Sequence, residues 1–109
     1  MSIDVESRTP RTATVVASST NIPTGFSTAS GSRIFTDITA AQNLYINNGA
    51  STALQVNVTA GSSTAPSTVE LTVPASVAVT FNNIKLSSSL YLQSAGAAIS
   101  SGTVIIDVW

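Results

Sequence analysis

Apolar and polar residues alternate along most of this chain, and this two-residue period constrains the fold more than any other feature. Leu54, Val56 and Val58 alternate with polar neighbours, and the pattern recurs in the segments 69–73, 77–81 and 104–108. Successive side chains of a β-strand point to opposite faces, so each segment predicts a strand with one buried face. No window of a dozen residues keeps the spacing of an amphipathic helix. The chain is therefore predicted to be all-β.

Eight candidate strands follow from this alternation and from the turn residues between them. They are Thr12–Ala17, Arg33–Ile38, Asn43–Asn47, Leu54–Thr59, Thr68–Val73, Val77–Phe81, Leu90–Gln93 and Thr103–Val108, with a ninth candidate at Ile3–Glu6. Strands at this spacing predict one antiparallel β-sandwich, either a jelly roll or an immunoglobulin-like sandwich. We expect residues 1–11 to form an extended N-terminal arm and residues 12–109 to form the sandwich domain.

The turns carry their own signals. Asn48-Gly49 is predicted to be a turn, since both residue types tolerate positive φ. Pro74-Ala75-Ser76 separates two strands, and Asn82-Asn83 ends the strand at Phe81. The segment from Ala17 to Ser32 has little pattern. It has two interpretations, a functional loop or a crossover between sheets.

The composition excludes several kinds of chemistry. Only 8% of the residues are charged, against about 25% in an average domain, and there is no cysteine or histidine. Without these residues the chain has no thiolate or imidazole to act as a nucleophile, general base or metal ligand. Its five acids show no spacing that demands a catalytic pair or a metal site. We therefore predict a non-enzymatic protein without a cofactor.

Charge and hydropathy also bear on partners. A net charge of −1 with one lysine and three arginines makes nucleic acid a poor partner. No apolar run approaches the roughly 18 residues of a membrane helix, so no membrane partner is expected. The first six residues are acidic and alternating, and no apolar stretch follows. We expect the protein to be made and kept in a cytoplasm.

The N-terminal arm carries much of the available charge. Four of the nine charged residues lie within the first eleven positions, where Ile3 and Val5 alternate with acids and Arg8 and Arg11 follow. Two interpretations stand side by side: a frayed terminus, or an arm that adds a strand to a neighbour or holds the domain on a partner. Trp109 either closes one end of the core or lies in a subunit contact, where tryptophan is enriched. The predicted assembly contacts are therefore Ile3, Val5, Arg8, Arg11 and Trp109.

Two parts of the chain resemble small virion proteins of tailed bacteriophages. The opening Val5-Glu6-Ser7-Arg8-Thr9-Pro10-Arg11-Thr12-Ala13-Thr14 is similar to their start, where an Arg-Thr-Ala-Thr segment enters the first strand. Val73-Pro74-Ala75-Ser76-Val77, a Leu-Tyr-Leu strand and the final segment from Gly102 to Trp109 resemble capsid decoration, or head cement, proteins. This resemblance touches about half of the chain.

The resemblance implies a function without catalysis. Decoration proteins are small β-sandwich or jelly-roll domains that bind the outside of a capsid, commonly as trimers, and staple neighbouring capsid subunits. It therefore implies a homotrimer that binds the major capsid protein and resides on the capsid surface of a virion. The arm from Ile3 to Arg11 would reach the capsid or an adjacent subunit.

Two other functions remain open at the level of sequence. One is a different virion or surface module, of the fibre-base or pilin-like kind, which predicts filaments or binding to a host surface. The other is a small carbohydrate-binding sandwich, in which Tyr45 and Tyr91 would stack on sugars because they occupy matching positions in two similar strands.

Overall fold

The chain folds into eight β-strands. A computed structural model describes residues 11–18, 20–28, 32–35, 38, 41–61 and 64–109, and these ranges contain no helix. The strands are β1 (Arg11–Val16), β2 (Arg33–Phe35), β3 (Leu44–Asn48), β4 (Leu54–Asn57), β5 (Leu71–Val73), β6 (Val77–Phe81), β7 (Leu90–Ser94) and β8 (Thr103–Val108). The all-β prediction is confirmed, and each of the eight predicted strands overlaps an observed one.

The strands form two antiparallel sheets of four. Sheet 1 has the order β1-β8-β3-β6, and sheet 2 has the order β2-β7-β4-β5. The pairs β1–β8, β2–β7, β3–β6 and β4–β5 are nested within one another along the chain. This nested pairing is the order of a jelly roll, and it distinguishes between the two sandwich types that the sequence left open. The segment after Ala17 leads from β1 in sheet 1 to β2 in sheet 2, as its crossover interpretation expected.

The core lies between the sheets and is built from the alternating apolar residues. Sheet 1 contributes five of these buried side chains, which are Leu44 and Ile46 from β3 and Val104, Ile106 and Val108 from β8. Their counterparts from sheet 2 are Leu54, Val56, Val73, Leu90 and Leu92. Burial of a Val, Leu or Ile side chain stabilises a fold by about 1.5–3 kcal/mol, so this shared cluster is the main attraction between the sheets.

Three predicted strands are longer than the observed ones. The predicted strand Arg33–Ile38 is observed as β2 at Arg33–Phe35, with residues 36 and 37 outside the described ranges. In the other two, side chains take over backbone partners. The predicted strand Leu54–Thr59 ends at Asn57, whose side-chain oxygen accepts hydrogen bonds from the backbone N–H groups of Thr59 and Ala60 at 3.2 and 3.0 Å. The predicted strand Thr68–Val73 begins at Leu71, and the Thr68 carbonyl instead accepts a bond from Asn57 Nδ2. Asparagine favours such local turns over a strand ladder.

The predicted turn at Asn48-Gly49 is wrong in its conformation. Asn48 is the last residue of β3, and neither residue has a positive φ. Among the described residues, positive φ occurs at Gly61 and Gly102 and, outside glycine, at Ser76 and Asn83. Ser76 and Asn83 lie in the two other predicted turns. The physical role of Gly49 is a close backbone contact with β8, which the local sequence does not reveal.

Candidate assembly surface

The outer face of sheet 1 is broad and almost uncharged. Residues directly opposite each other in an antiparallel pair share a face, so the register places ten side chains on this surface. They are Thr12, Thr14, Val16, Tyr45, Asn47, Ala78, Thr80, Thr103, Ile105 and Asp107. All ten are exposed or half-buried. The face offers hydroxyl and amide groups for hydrogen bonding, and Asp107 is its single charged member.

Asp107 already has a partner on this face. The Thr12 hydroxyl on β1 donates a hydrogen bond to the Asp107 carboxylate on β8. Tyr45 on β3 lies on the other side of Asp107 in the same row. A partner that covers the face would meet a carboxylate held by its own neighbour instead of a freely hydrated charge, which reduces the cost of removing water from it.

Two of the predicted assembly residues lie at one end of the sandwich. Arg11 is the first residue of β1 and lies opposite Val108 on β8. Trp109 is half-buried and continues the pairing of β8 with β3, because its N–H donates to the Asn43 carbonyl and its carbonyl accepts from the N–H of Asn43. Ile3, Val5 and Arg8 lie outside the described residues.

A cleft opens at this same end. It has a volume of about 410 Å³ and is lined by Ala41, Gln42, Asn83, Ile84, Lys85 and Leu86. The backbone of Gln42 connects the cleft to the chain end, since its N–H donates to the Trp109 carbonyl and its carbonyl accepts from Ile84 N–H. Lys85 is exposed here and is the single lysine of the sequence. Sequence reasoning did not single out this cleft, because its two walls are 40 residues apart.

The two edges of sheet 1 differ in how well they cover the core. At the β1 edge, the inward-pointing Val15 is only 7% exposed. At the β6 edge, Val77, Val79 and Phe81 lie opposite Asn48, Ile46 and Leu44 and so also point inward. Val77 is nevertheless 38% exposed, and Val79 and Phe81 are half-buried. The sandwich is therefore open along β6.

Sheet 2 contributes to the same opening. Val69 precedes β5 and is separated from Leu71 and Val73 by two and four residues, so the alternation places it on the same inner face. It is nevertheless 39% exposed, and Leu71 is half-buried. We call the surface formed by Val69, Leu71, Val77, Val79 and Phe81 the β5–β6 edge. Sequence reasoning predicted the alternation of these residues but not their exposure.

The two tyrosines do not form an exposed pair. Tyr45 is half-buried on the outer face of sheet 1, whereas Tyr91 is on β7 in sheet 2 and is fully buried. The hydroxyls of Tyr91 and Ser89 are buried without a hydrogen-bond partner in the described part of the chain. The aromatic row on which the carbohydrate-binding alternative depends is therefore not present at these two positions.

The Glu70 carboxylate has a structural role, because it binds the backbone of a loop. Its Oε1 accepts hydrogen bonds from the N–H groups of Val58 at 2.6 Å and Thr59 at 3.0 Å, and the Thr59 hydroxyl donates to Oε2. The carboxylate thus holds the start of the β4–β5 loop against the residue that leads into β5. No group of three acids that could hold a metal ion occurs in the described ranges. In that part of the chain, no helix has the length and apolar character needed to cross a membrane.

We expect Glu70→Ala to lower the free energy of unfolding by about 1 kcal/mol. Hydrogen bonds to a charged group contribute roughly 1.5–3 kcal/mol, and the exposure of Glu70 reduces that value. Chemical denaturation measures the change. Glu70→Gln is the matched control, because its amide oxygen still accepts from Val58 and Thr59, and it should retain most of the stability. Equal stability of Glu70→Ala and the unmodified protein would show that the loop needs no carboxylate.

A scan of family models, a search of curated proteins and a search of solved structures each found no match.

Proposed function

We propose that this chain is a structural virion protein that binds the outside of a phage capsid and staples neighbouring capsid subunits. In this proposal it acts as a homotrimer on the capsid surface, and its partner is the major capsid protein. The observation that carries the proposal is the nearly uncharged outer face of sheet 1. Of its ten side chains only Asp107 is charged, and Asp107 already accepts a hydrogen bond from Thr12. The jelly-roll order of the strands and the resemblance to decoration proteins support it.

The physical mechanism is multivalency. A face made mainly of threonine, asparagine and apolar side chains loses less hydration energy when it is covered than a charged face would, but it also gains little from any single contact. Three such faces in one trimer bind together, so the second and third contacts form at high effective concentration. The gain in avidity lets shallow contacts hold capsid subunits that would otherwise separate.

A charge placed on this face should weaken binding to capsids. We expect Thr14→Lys to raise the Kd for undecorated capsids of the phage that encodes this chain at least about tenfold, since an unpaired ammonium would be buried. Thr14 is exposed on β1, so the substitution leaves the core intact. Sedimentation of capsids with labelled protein measures the Kd.

The matched control is Thr72→Lys, which places the same charge at an exposed position on β5 in sheet 2. It should bind as the unmodified protein does. Failure of the unmodified protein to bind capsids would overturn the proposed function, and filaments of the purified protein in electron micrographs would favour the fibre-base or pilin-like alternative. Equal weakening by both substitutions would overturn the assignment of the contact to sheet 1.

A further inference from the structure

Strand β6, on the β5–β6 edge, lacks the features that protect sheet edges in natural proteins. Exposed edges are usually short, charged, bulged or interrupted by proline, because free backbone groups recruit other strands. Strands β2 and β5 have three residues each, and β2 also contains Arg33 and a register shift. The edge strand β1 begins with Arg11. Strand β6 has five residues, Val-Ala-Val-Thr-Phe, without a charge, proline or register shift.

The backbone of β6 is paired on one side. Within the described residues it pairs with β3 alone, so a further strand can add to its other side. The side chains of Val77, Val79 and Phe81 lie on the inner face of sheet 1 but remain partly exposed at its edge. An added strand with apolar residues at alternate positions would cover them. Addition of a strand to an exposed edge is a common mode of recognition, in which main-chain hydrogen bonds give affinity and alternate side chains give specificity.

We propose that the N-terminal segment 2–9 of a second copy of this chain pairs with β6 and closes the β5–β6 edge. In this segment Ile3 and Val5 alternate with Asp4 and Glu6. Pairing with β6 would place Ile3 and Val5 over the inward-pointing valines and direct both acids outward. Ten residues precede β1, about 33 Å when extended, and five residues of β6 need about 17 Å.

Charge favours the same occupant. Strand β6 ends at Phe81, and the cleft beyond this end contains the exposed Lys85. The segment 2–9 carries two acids beside its apolar residues and Arg8 further along, and the five side chains of the β5–β6 edge are uncharged. Glu70, between Val69 and Leu71, has its carboxylate hydrogen-bonded to the backbone of Val58 and Thr59. An exposed ion pair of this kind adds little energy, but it selects the register and direction of the incoming strand.

Geometry favours a second copy over the same subunit. Strands β1 and β6 lie at opposite edges of sheet 1. To pass beyond β6 within one subunit, the arm would cross four strand spacings, about 19 Å. Of the roughly 33 Å that residues 1–10 span when extended, about 14 Å of this segment would then remain for pairing, which is less than the length of about 17 Å that β6 requires. Pairing between copies in a head-to-tail manner needs no such crossing and closes into a ring when the rotation allows.

The oligomeric state of the purified protein tests this inference without any capsid, so its failure is separate from failure of capsid binding. Light scattering coupled to size-exclusion chromatography should give the full chain a mass that is a multiple of the monomer mass of 11.1 kDa. Deletion of residues 2–10 and the substitution Val77→Lys should each yield the monomer. A monomeric full chain, or an oligomer that persists after the deletion, would overturn the proposal.

Val16→Lys is the matched control for Val77→Lys. Val16 is 40% exposed on the opposite edge of sheet 1, and Val77 is 38% exposed. The control should stay oligomeric, and both variants should keep the circular dichroism of a folded β-protein. Loss of the oligomer in both variants would contradict the assignment to β6, as would retention of the oligomer in both.

Crosslinking identifies the two segments in contact. The chain has no cysteine, so single cysteines can be introduced without side reactions. Glu6→Cys and Thr80→Cys, which the proposed pairing directs to the same outer face, are made in chains with tags of different mass, and the chains are mixed, exchanged and treated with a short bismaleimide. The proposal predicts a crosslinked species that contains one chain of each kind. Crosslinks confined to chains of the same kind would contradict it.

Discussion

Replacement of Asn48 by alanine is expected to lower the free energy of unfolding by about 3 kcal/mol. Asn48 is fully buried at the end of β3. Its Nδ2 lies 3.1 to 3.2 Å from the carbonyl oxygens of Thr52, Val73 and Pro74, so its two hydrogens are shared among three acceptors, and its Oδ1 accepts from the Ala50 N–H at 3.1 Å. One side chain thus connects sheet 1 to the end of β5 in sheet 2. Alanine would remove these hydrogen bonds, two of which are fully buried.

The measurement is thermal or chemical unfolding, and the expected fall in Tm is roughly 13 °C for a domain of this size. Asn47→Ala is the matched control. Asn47 is the preceding residue of the same strand, points to the outer face and is half-buried. It should change the stability by less than about 0.5 kcal/mol. Similar losses at both positions would show that the asparagine type, and not the buried connection, determines stability.

Replacement of Gly49 by alanine is expected to destabilise the fold to a similar extent, by about 3 kcal/mol. The Gly49 N–H donates to the Thr103 carbonyl at 2.9 Å, and a Cβ at Gly49 would overlap with that same oxygen. Both sides of this contact are backbone, so no side chain can rotate away. Relief of the overlap would require β8 to move from β3, and β8 also pairs with β1.

Gly25→Ala is the control for this substitution. A Cβ at Gly25 would meet nothing within 4 Å, and Gly25 does not have a positive φ. It should leave the protein as stable as before or make it slightly more stable, because alanine restricts the unfolded chain. Unfolding in denaturant compares the two variants. A Gly49→Ala protein with unchanged stability would mean that β8 can shift at little cost, contrary to the close contact in this structure.

Much of the fold was accessible from local pattern. The alternation at Leu44 and Ile46 and at Leu90 and Leu92 predicted which side chains enter the core, and all four are buried. Tyr91 departs from this rule. It lies between Leu90 and Leu92 and so points away from them, yet it is fully buried and does not belong to the main core cluster. Alternation predicts which face a side chain points to, but not what other segments cover that face.

The candidate assembly surface was less accessible. The sequence suggested Arg11 and Trp109 as contacts, and the structure places both at one end of the sandwich. It did not indicate the β5–β6 edge. Val77 has the same alternating pattern as Leu54, but β6 is at the edge of sheet 1 while β4 is an inner strand of sheet 2. Whether an apolar side chain is covered depends on that position.

By itself, the sequence determined the class of fold, the approximate positions of the strands, which side chains of each strand point inward, and the low charge of the sandwich. These properties follow from the two-residue period and the residue types, which act locally. The tertiary structure decided the strand order, the open edge at β6 and the buried connection at Asn48. These depend on pairing between strands far apart in the chain, such as β1 with β8. The same local alternation is compatible with several such pairings, so only the packing of the whole chain selects one.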